Sequence, residues 1–481
     1  MNNIKEAVFS RGFLLTNEDA SLLESTLQKD NQTENLKRWE KTYFGKFKLW
    51  VDPLLNYATA RDDKIGVGIM GLCVNPFDGL NNNQSIVKRL YESLLVGKKI
   101  FYDYVDQLSG AFVVIYRESA DVYILQDAAA TKAVYYHFNS NGKLAVSSHA
   151  AIISRLFRLD FDSRAEEVWK DQYYLKDPSR YLPGLITPYK GLMPLTANNE
   201  LDVTKTRTRR FFPREPLIMK ELNDGLVQEI SSIMLRQAAL IGSLGRPLLL
   251  AATGGKDSRL SAATFSGQPG LRYFSFHMPR TGHLSDDVRI AQQLADVENK
   301  NIDIFDLDKY WNFDFNKYFG LHSPMGIWPS AAFCYLNEFE SRSIHIRSTV
   351  SEIGRCFYGF EKPEVVNPDF LSRYYTKTQF GKSHLVLDAM SEYIEGTDFG
   401  NSSIFNYNVL DIFYWEHRNS KWQNVLCAEA EMATDVFIPF NNRELLKLFL
   451  SVPQENRRRS DIHRLVTNHL KPDFGRVELT P

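Results

Sequence analysis

Two textures of hydrophobic patterning divide this chain. From Gly66 to His149, short apolar runs rich in Val, Ile, Tyr and Phe recur at tight spacing as "GVGIMGLCV", "AFVVIYR", "DVYILQD", "AVYYHF" and "KLAVSSH". Asn, Gly, Ser and Asp punctuate them, with "NSNG" at Asn139 to Gly142 the clearest hairpin signal, so the pattern predicts antiparallel sheet. One helix interrupts it at "NQSIVKRLYESLLVG", where Ile86, Leu90, Leu94 and Leu95 repeat at helical spacing and Gly97 ends the run; another follows at "SSHAAIISRLF".

The second half alternates differently. "LNDGLVQEISSIMLRQAALIGSLG" is amphipathic and closes on Gly245, and "RPLLLAATGG" is a continuous apolar run of the kind that a parallel strand buried on both faces shows. A helix starting at Asp257 or Ser258, the strand "LRYFSFHM", the helix "DDVRIAQQLADV" and the strand "KNIDIFDL" complete a β-α-β-α-β alternation, which predicts a twisted parallel sheet. Beyond Tyr310 the segments "DIFYWEHRNSKWQNVLCAEAEM" and "NRELLKLFLSVP" read as helical. Between the two textures, "TKTRTRRFFPREPL" carries Lys205, Arg207, Arg209, Arg210 and Arg214 and two prolines. It reads as a solvated linker, with phosphate binding as the alternative, and sets a boundary near 215. The expected fold class is α/β, with an antiparallel β-sandwich in 1–215 and a parallel-sheet domain in 216–481.

Composition narrows the class of partner. The 481 residues are 44% hydrophobic and 24% charged with a net charge of −1, so nothing global steers the chain to nucleic acid or an anionic membrane. Cys73, Cys334, Cys356 and Cys427 form no C-x-x-C pair and read as buried thiols. "MNNIKEAVFSRGFLL" lacks a signal-peptide pattern and no run approaches 18 apolar residues. The expectation is a cytoplasmic protein with no membrane and no nucleic-acid partner.

The candidate chemistry lies at "TGGKDSR". A loop leaving the first strand of such a sheet opens at the carboxyl edge, against the start of the next helix. Gly254 and Gly255 let backbone N–H groups face an anion, Thr253 and Ser258 add hydroxyls, and the helix dipole adds attraction. Asp257 would repel a bare phosphate, which makes it a candidate Mg²⁺ ligand shared with phosphate oxygens, while Lys256 and Arg259 could neutralise the leaving group. A Gly-rich turn that only permits close packing is the alternative. The Walker order is absent, since Lys256 precedes an aspartate rather than Ser or Thr.

This loop resembles the pyrophosphate loop of the ATP pyrophosphatase family, Ser-Gly-Gly-x-Asp-Ser, with Thr253 in the first position. In their order along the chain, "LSGAFVVIYR", "ILQDAAATKAVYYH", "LAVSSHAAII", "TGGKDSR" and "TDVFIPFNNRELLKLFLSVP" resemble the asparagine synthetase superfamily over most of residues 60–465. The resemblance implies a glutamine amidotransferase-like sandwich before an adenine nucleotide α-hydrolase-like domain that binds ATP and Mg²⁺ and adenylates a carboxylate. A working glutaminase of that class has Cys at position 2; here Asn2 offers no nucleophile, so no glutaminase activity is expected. A lost nucleophile with the loop kept resembles β-lactam synthetases and lasso-peptide cyclases.

The resemblance also distributes roles. "TVSEIGRCFYG" stands in the family's acidic metal region and leaves Glu352 as the second metal-binding carboxylate beside Asp257, with Arg355 nearby. "DVFIPF" puts Asp435 where the family orients a base or binds the incoming amine, with a structural ion pair as the alternative. In "ENRRRSDIHRL", Arg457, Arg458 and Arg459 offer charge to pyrophosphate or an oxyanion, Arg458 being the catalytic candidate; a solvent-facing cluster is the alternative. Phe276 and His277 fall where the family lines its adenine pocket, although His277, like His417, also reads as packing. The expected activity is AMP-forming carboxylate–amine ligation of a small-molecule or peptide carboxylate with an amine, in natural-product or modified-peptide biosynthesis such as macrocyclisation or β-lactam-type ring closure. A homodimer or a peptide-binding partner protein is compatible with it. The alternatives are an ammonia-dependent asparagine synthetase and a non-catalytic ATP-fold binding protein.

Overall fold

Alternating apolar positions before residue 211 build two antiparallel sheets in the computed structural model, which describes residues 2–19, 34–176, 180–278 and 285–477. The strands are β1 (Phe13–Thr16), β2 (Glu40–Phe44), β3 (Phe47–Val51), β4 (Tyr57–Arg61), β5 (Ile65–Val74), β6 (Ser109–Glu118), β7 (Asp121–Gln126), β8 (Tyr135–Phe138), β9 (Leu144–Ser147), β10 (Met193–Pro194), β11 (Asn199–Asp202) and β12 (Arg207–Arg210). One sheet runs β10-β8-β9-β1-β3-β2 and the other β12-β11-β7-β6-β5-β4. Their facing sides meet in one core, where Phe13, Leu15, Leu49 and Val146 of the first sheet oppose Met70, Val113, Ile115 and Ile124 of the second. Each fully buried aliphatic side chain contributes about 1.5–3 kcal/mol. A one-residue slip would turn a whole row outward, so this burial fixes the register.

The outer faces carry helices. Ile86, Leu90 and Phe101, from helices Asn83–Val96 and Lys98–Asp106, join Val67, Ile69 and Val114 of the second sheet in one core, whereas Ile152 and Leu156 of Ala150–Phe157 join Leu14, Trp50 and Tyr135 of the first. The sheets also begin earlier than the sequence pattern suggests, because β1 to β4 precede the first clear apolar run.

Five further strands form the parallel sheet: β13 (Leu248–Ala251), β14 (Leu271–His277), β15 (Ile302–Asp306), β16 (Ile344–Ile346) and β17 (Asp435–Phe437), ordered β15-β14-β13-β16-β17. Leu248 and Leu250 of the central strand face the helices Asp224–Gly242, Lys256–Phe265 and Ser285–Val297; Leu249 faces the opposite layer with Tyr335 and Ala430. Burial on both sides accounts for the unbroken apolar run of β13. Strand order reverses between β13 and β16, and in open α/β sheets ligands bind at such a point, beyond the carboxyl ends of the strands.

The linker reading does not survive. Arg207–Arg210 is strand β12, Arg209 pairs with Glu200, Arg210 with the buried Glu416, and Arg214 with Asp103 and Asp106 at 2.8 and 2.6 Å. Glu200 lies on the neighbouring strand β11, but Glu416, Asp103 and Asp106 lie more than a hundred positions away in sequence, which is why the basic run looked solvated. The halves also share a polar seam. Asn441 Nδ2 donates to Gly110 O, Asp127 and Thr131, while Asn442 Nδ2 donates to Gln107 O and Ser109, all from the segment after β17. All four cysteines are buried and unpaired as disulfides, and no helix among the described residues is long and apolar enough to cross a membrane.

Candidate functional site

The site grows from the exit of β13. The chain passes through Thr253, Gly254 and Gly255 into the helix Lys256–Phe265. Gly255 caps that helix with φ −73°, a conformation open to any residue, and a Cβ placed on it would meet only Thr253 Oγ1 at 3.6 Å. Neither backbone strain nor internal packing requires glycine at this position. Its effect is to leave the start of the helix without a side chain over it, as an anion site needs, while its own N–H donates to Thr253 Oγ1 at 3.4 Å. Ser258 departs from expectation: buried, its hydroxyl accepts from Thr253 N–H at 2.8 Å and donates to Ala251 O at 3.3 Å, so it shapes the loop. Gly254 N–H donates to Asp287 Oδ1 at 2.9 Å, so a carboxylate already sits on one loop amide. Sequence reasoning missed Asp287, which stands at the start of Ser285–Val297 with only an ordinary helix-start pattern to mark it.

The other wall is the segment leaving β16. Val350 takes φ 80° and Cys356 φ 52°, flanking the short helix Ser351–Arg355. A β-branched residue at positive φ is strained, and such strain concentrates where a ligand clamp is held in shape. This bend carries Ser351, Glu352 and Arg355 to the loop. Ser351 Oγ donates to Asp257 Oδ1, Arg355 Nη2 lies 2.9 Å from Asp257 Oδ2, and the same nitrogen is 3.9 Å from Glu352 Oε1. Asp257 and Glu352, 95 positions apart in sequence, thus share one guanidinium.

Electrostatics follow from burial. The Glu352 carboxyl is pushed up to about 7, first by burial and then by the charge of Asp257, with Arg355 opposing. Burial also raises Asp257, against Arg355 and the Ser351 hydrogen bond. His463 approaches Asp257 at 3.6 Å, yet burial, Arg355 and Lys256 hold its imidazole well below its ordinary value, so the contact is not an ion pair. Ser348 Oγ, Thr349 Oγ1, Glu352 Oε2, Arg355 Nε and both ring nitrogens of His463 are buried without a hydrogen-bond partner among the described residues. Buried polar atoms are nearly always paired, so each of these is open to completion by a ligand or by water.

On its far side the loop helix borders a cavity of about 220 Å³ lined by Lys256, Arg259, Arg459, Ser460, His463 and Arg464. Lys256 Nζ reaches Ser460 Oγ at 3.4 Å. The three consecutive arginines divide. Arg457 is buried against Asp411 at 2.6 Å, Arg459 lines the cavity, and Arg458, the catalytic candidate, is exposed and does not line it. His463 was also missed, because a histidine on an amphipathic helix carries no sequence signal for its distant aspartate.

The remaining candidates separate. Phe276 and His277, half-buried, end β14 at the same carboxyl edge, with Phe276 packed on Phe274 and Tyr335. Asp435 does not join them. It opens β17 in register with Ile344 and hence with Leu248, at the amino ends of the strands, where Arg11 holds it at 2.8 Å and Arg246 pairs with its other oxygen. Burial pushes Asp435 up, but Arg11 and Arg246 outweigh it and hold the carboxyl below its ordinary value. Its position fits the structural ion pair. Asn2 belongs to helix Asn2–Ala7, and its side chain lies outside the described residues. His417 is packing, stacked on Phe413 at 4.7 Å.

With this geometry in place, comparison with known proteins adds little. No protein-family model and no curated protein matches the chain. Solved structures similar over 74% of it include the allosteric regulatory enzyme of purine biosynthesis, at 9% identity, TM-score 0.25 and 72% of that chain, and glutamine phosphoribosylpyrophosphate amidotransferase from B. subtilis complexed with ADP and GMP, at 10%, 0.24 and 73%.

Mg²⁺ can be weighed against the residues themselves. Among the described residues no group of three or more His, Cys, Asp and Glu is placed to hold a metal ion. Magnesium needs less, because it keeps waters and takes one or two carboxylates together with substrate phosphates. Asp257 and Glu352, with Glu352 Oε2 unpartnered, fit that demand as a pair.

Proposed function

We propose that this chain is an AMP-forming carboxylate–amine ligase with ATP as its nucleotide. The observation that carries the reading is the meeting of Asp257, Arg355 and Glu352 at the strand-order reversal, beside a helix N-terminus left open by Gly255. Resemblance of "TGGKDSR" to the pyrophosphate loop of the asparagine synthetase superfamily supports it. So does the order of an antiparallel sandwich before a parallel sheet, read here as a degenerate amidotransferase-like domain in 1–215 and an ATP-pyrophosphatase domain in 216–481.

In this reading Thr253, Gly255 and the N-terminus of the loop helix bind the triphosphate, with Lys256 and Arg259 toward its outer phosphates. Phe276 and His277 border the adenine. A substrate carboxylate oxygen attacks the α-phosphorus, the α–β phosphoanhydride bond breaks, and pyrophosphate departs with its electron pair. An amine then attacks the acyl carbon, AMP leaves, and the nitrogen loses one proton. Arg355 stabilises the charge developing at the α-phosphate, and the enclosing walls exclude water from the mixed anhydride. Mg²⁺, held by Asp257 and Glu352, would supply charge neutralisation on the phosphates.

ATP–pyrophosphate exchange and hydroxylamine trapping test the reading. Exchange that requires an acid, with a hydroxamate of that acid as product, is expected; nucleotide binding without exchange for any carboxylate would contradict it.

A further inference from the structure

The cavity of about 220 Å³ behind the loop helix is built from three segments. Lys256 comes from Lys256–Phe265, His463 and Arg464 from the helix Asp461–Leu470 packed on it, and Gly475 from the turn Pro472–Arg476. A Cβ on Gly475 would lie 2.0 Å from Asn468 Oδ1, so only glycine lets that turn close on the cavity wall. Among the described residues no carboxylate lines the space, whereas Lys256, Arg459 and Arg464 do.

These cations are not spent on one another's partners. Asp461, off the wall, takes Arg459 Nε at 3.2 Å and one terminal nitrogen of Arg464 at 3.5 Å. A guanidinium carries five N–H donors, so each arginine keeps donors for another acceptor. Lys256 Nζ is held only by Ser460 Oγ, at 3.4 Å, among the described residues. Two observations separate the cavity from a solvated basic surface. His463 lines it while 1% exposed, with both ring nitrogens unpartnered, and a buried imidazole in that state is open to completion by what fills the cavity. Ser460 holds φ 58°, a left-handed conformation that costs a serine energy, at the turn that sets Arg459 and Arg464 on one wall.

Size and charge set the class of occupant. Ligand pockets ordinarily start at about 300 Å³, so this one is too small for a nucleotide and suits an inorganic anion. Cations on two packed helices favour an anion with more than one negative charge. We propose that the cavity is a second anion site, which takes a free phosphate-class polyanion while the nucleotide occupies the loop. His463 connects the two, since it lines the cavity and stands 3.6 Å from Asp257 Oδ1. On the ligase reading the occupant is the pyrophosphate released by adenylation, held apart from the reacting phosphate. That identity rests on the ligase reading; the site does not.

Equilibrium dialysis of labelled pyrophosphate against the full chain, with Mg²⁺ and excess α,β-methylene ATP, tests the proposal, with orthophosphate and sulfate as competitors in separate arms. Pyrophosphate is expected to bind the nucleotide-saturated protein without displacing the analogue. Arg464→Gln, at an exposed side chain, should weaken pyrophosphate at least about fivefold while analogue affinity and the thermal melt stay unchanged. Mutual displacement of pyrophosphate and analogue, unchanged pyrophosphate affinity in Arg464→Gln, or sulfate competing as well as unlabelled pyrophosphate overturns the second site. Pyrophosphate binding tighter than orthophosphate assigns the site to the adenylation product, and the reverse order assigns it to free phosphate. Pyrophosphate bound beside the analogue without acid-dependent exchange contradicts the ligase reading and leaves the site standing; exchange with strict competition between the two overturns the site and leaves the ligase reading. A protein that binds no analogue contradicts the ligase reading, and the Arg464→Gln comparison then decides the site by itself.

Discussion

The two edges of the parallel sheet treat charge in opposite ways. At the amino edge, Asp435 is matched by Arg11 and Arg246, and Arg11 also donates to the carbonyls of Ser341, Glu431 and Ala433. Lys132 closes the same seam on Glu431 at 2.9 Å. At the carboxyl edge, two carboxylates crowd one guanidinium, a neutral His463 stands against Asp257, and buried hydroxyl, carboxylate and imidazole atoms lack partners. The first arrangement is what a buried junction between two halves needs; the second is costly unless something else completes it. The same residue type, an aspartate at an edge of the sheet, thus has a structural role at one edge, on strand β17, and a candidate functional role at the other, on the helix after β13.

Breaking the amino edge should have the largest effect on folding. Arg11→Met strands a buried carboxylate and several carbonyls, and a loss of about 4 kcal/mol is expected by urea titration, with nucleotide affinity of the folded fraction unchanged. An equal loss from Arg355→Met would erase the contrast, since that residue should matter mainly for ligand binding.

The edges should also answer pH with opposite signs. The folded value of Asp435 lies below its unfolded one, so its stabilisation is present above about pH 4 and is lost as pH falls through the folded value. Glu352 is reversed. Its folded value of about 7 exceeds the unfolded one, so its cost appears as pH rises above about 4.5 and is complete beyond 7. Glu352→Gln is therefore expected to stabilise the chelator-treated protein by about 3 kcal/mol at pH 8 and not below pH 4. Thermal melts across that range check it; a constant offset would contradict the assignment.

The smallest expected effect concerns strain. Val350→Gly relieves a φ of 80° but removes a buried core side chain worth about 1.5–3 kcal/mol, so the two nearly offset and a net loss of about 1 kcal/mol is expected in the same melts, with weaker nucleotide binding as the Ser351–Arg355 turn loosens. Tighter nucleotide binding would show that the strain has no part in shaping the site.

What the sequence made legible follows the range of the interactions. The run from β13 to β15 was readable because each element carries its own period and the Gly-Gly loop has a local chemical meaning. Strands β16 and β17 are three residues long, too short for any period to register. Arg207–Arg210 looked like a solvated linker because its carboxylates lie on β11 and the π-helix Tyr414–Gln423. Asp435 matched a motif, but a motif does not say at which end of a strand its acid falls; register does. Glu352 and Arg355 were in view, yet their meeting with Asp257 depends on a bend at Val350 that no composition announces. The cavity behind the loop helix was hidden for a like reason, since its walls meet across 204 positions, from Lys256 to Ser460.

Acid-dependent exchange of labelled pyrophosphate into ATP, measured for the unaltered protein beside Asp257→Asn and Asp435→Asn, tests the central claim most directly. Exchange should fall about a thousandfold in Asp257→Asn with folding intact, whereas Asp435→Asn should lose stability and keep the rate per folded molecule. Absence of exchange in the unaltered protein, or equal rates for Asp257→Asn and the unaltered protein, would contradict the account.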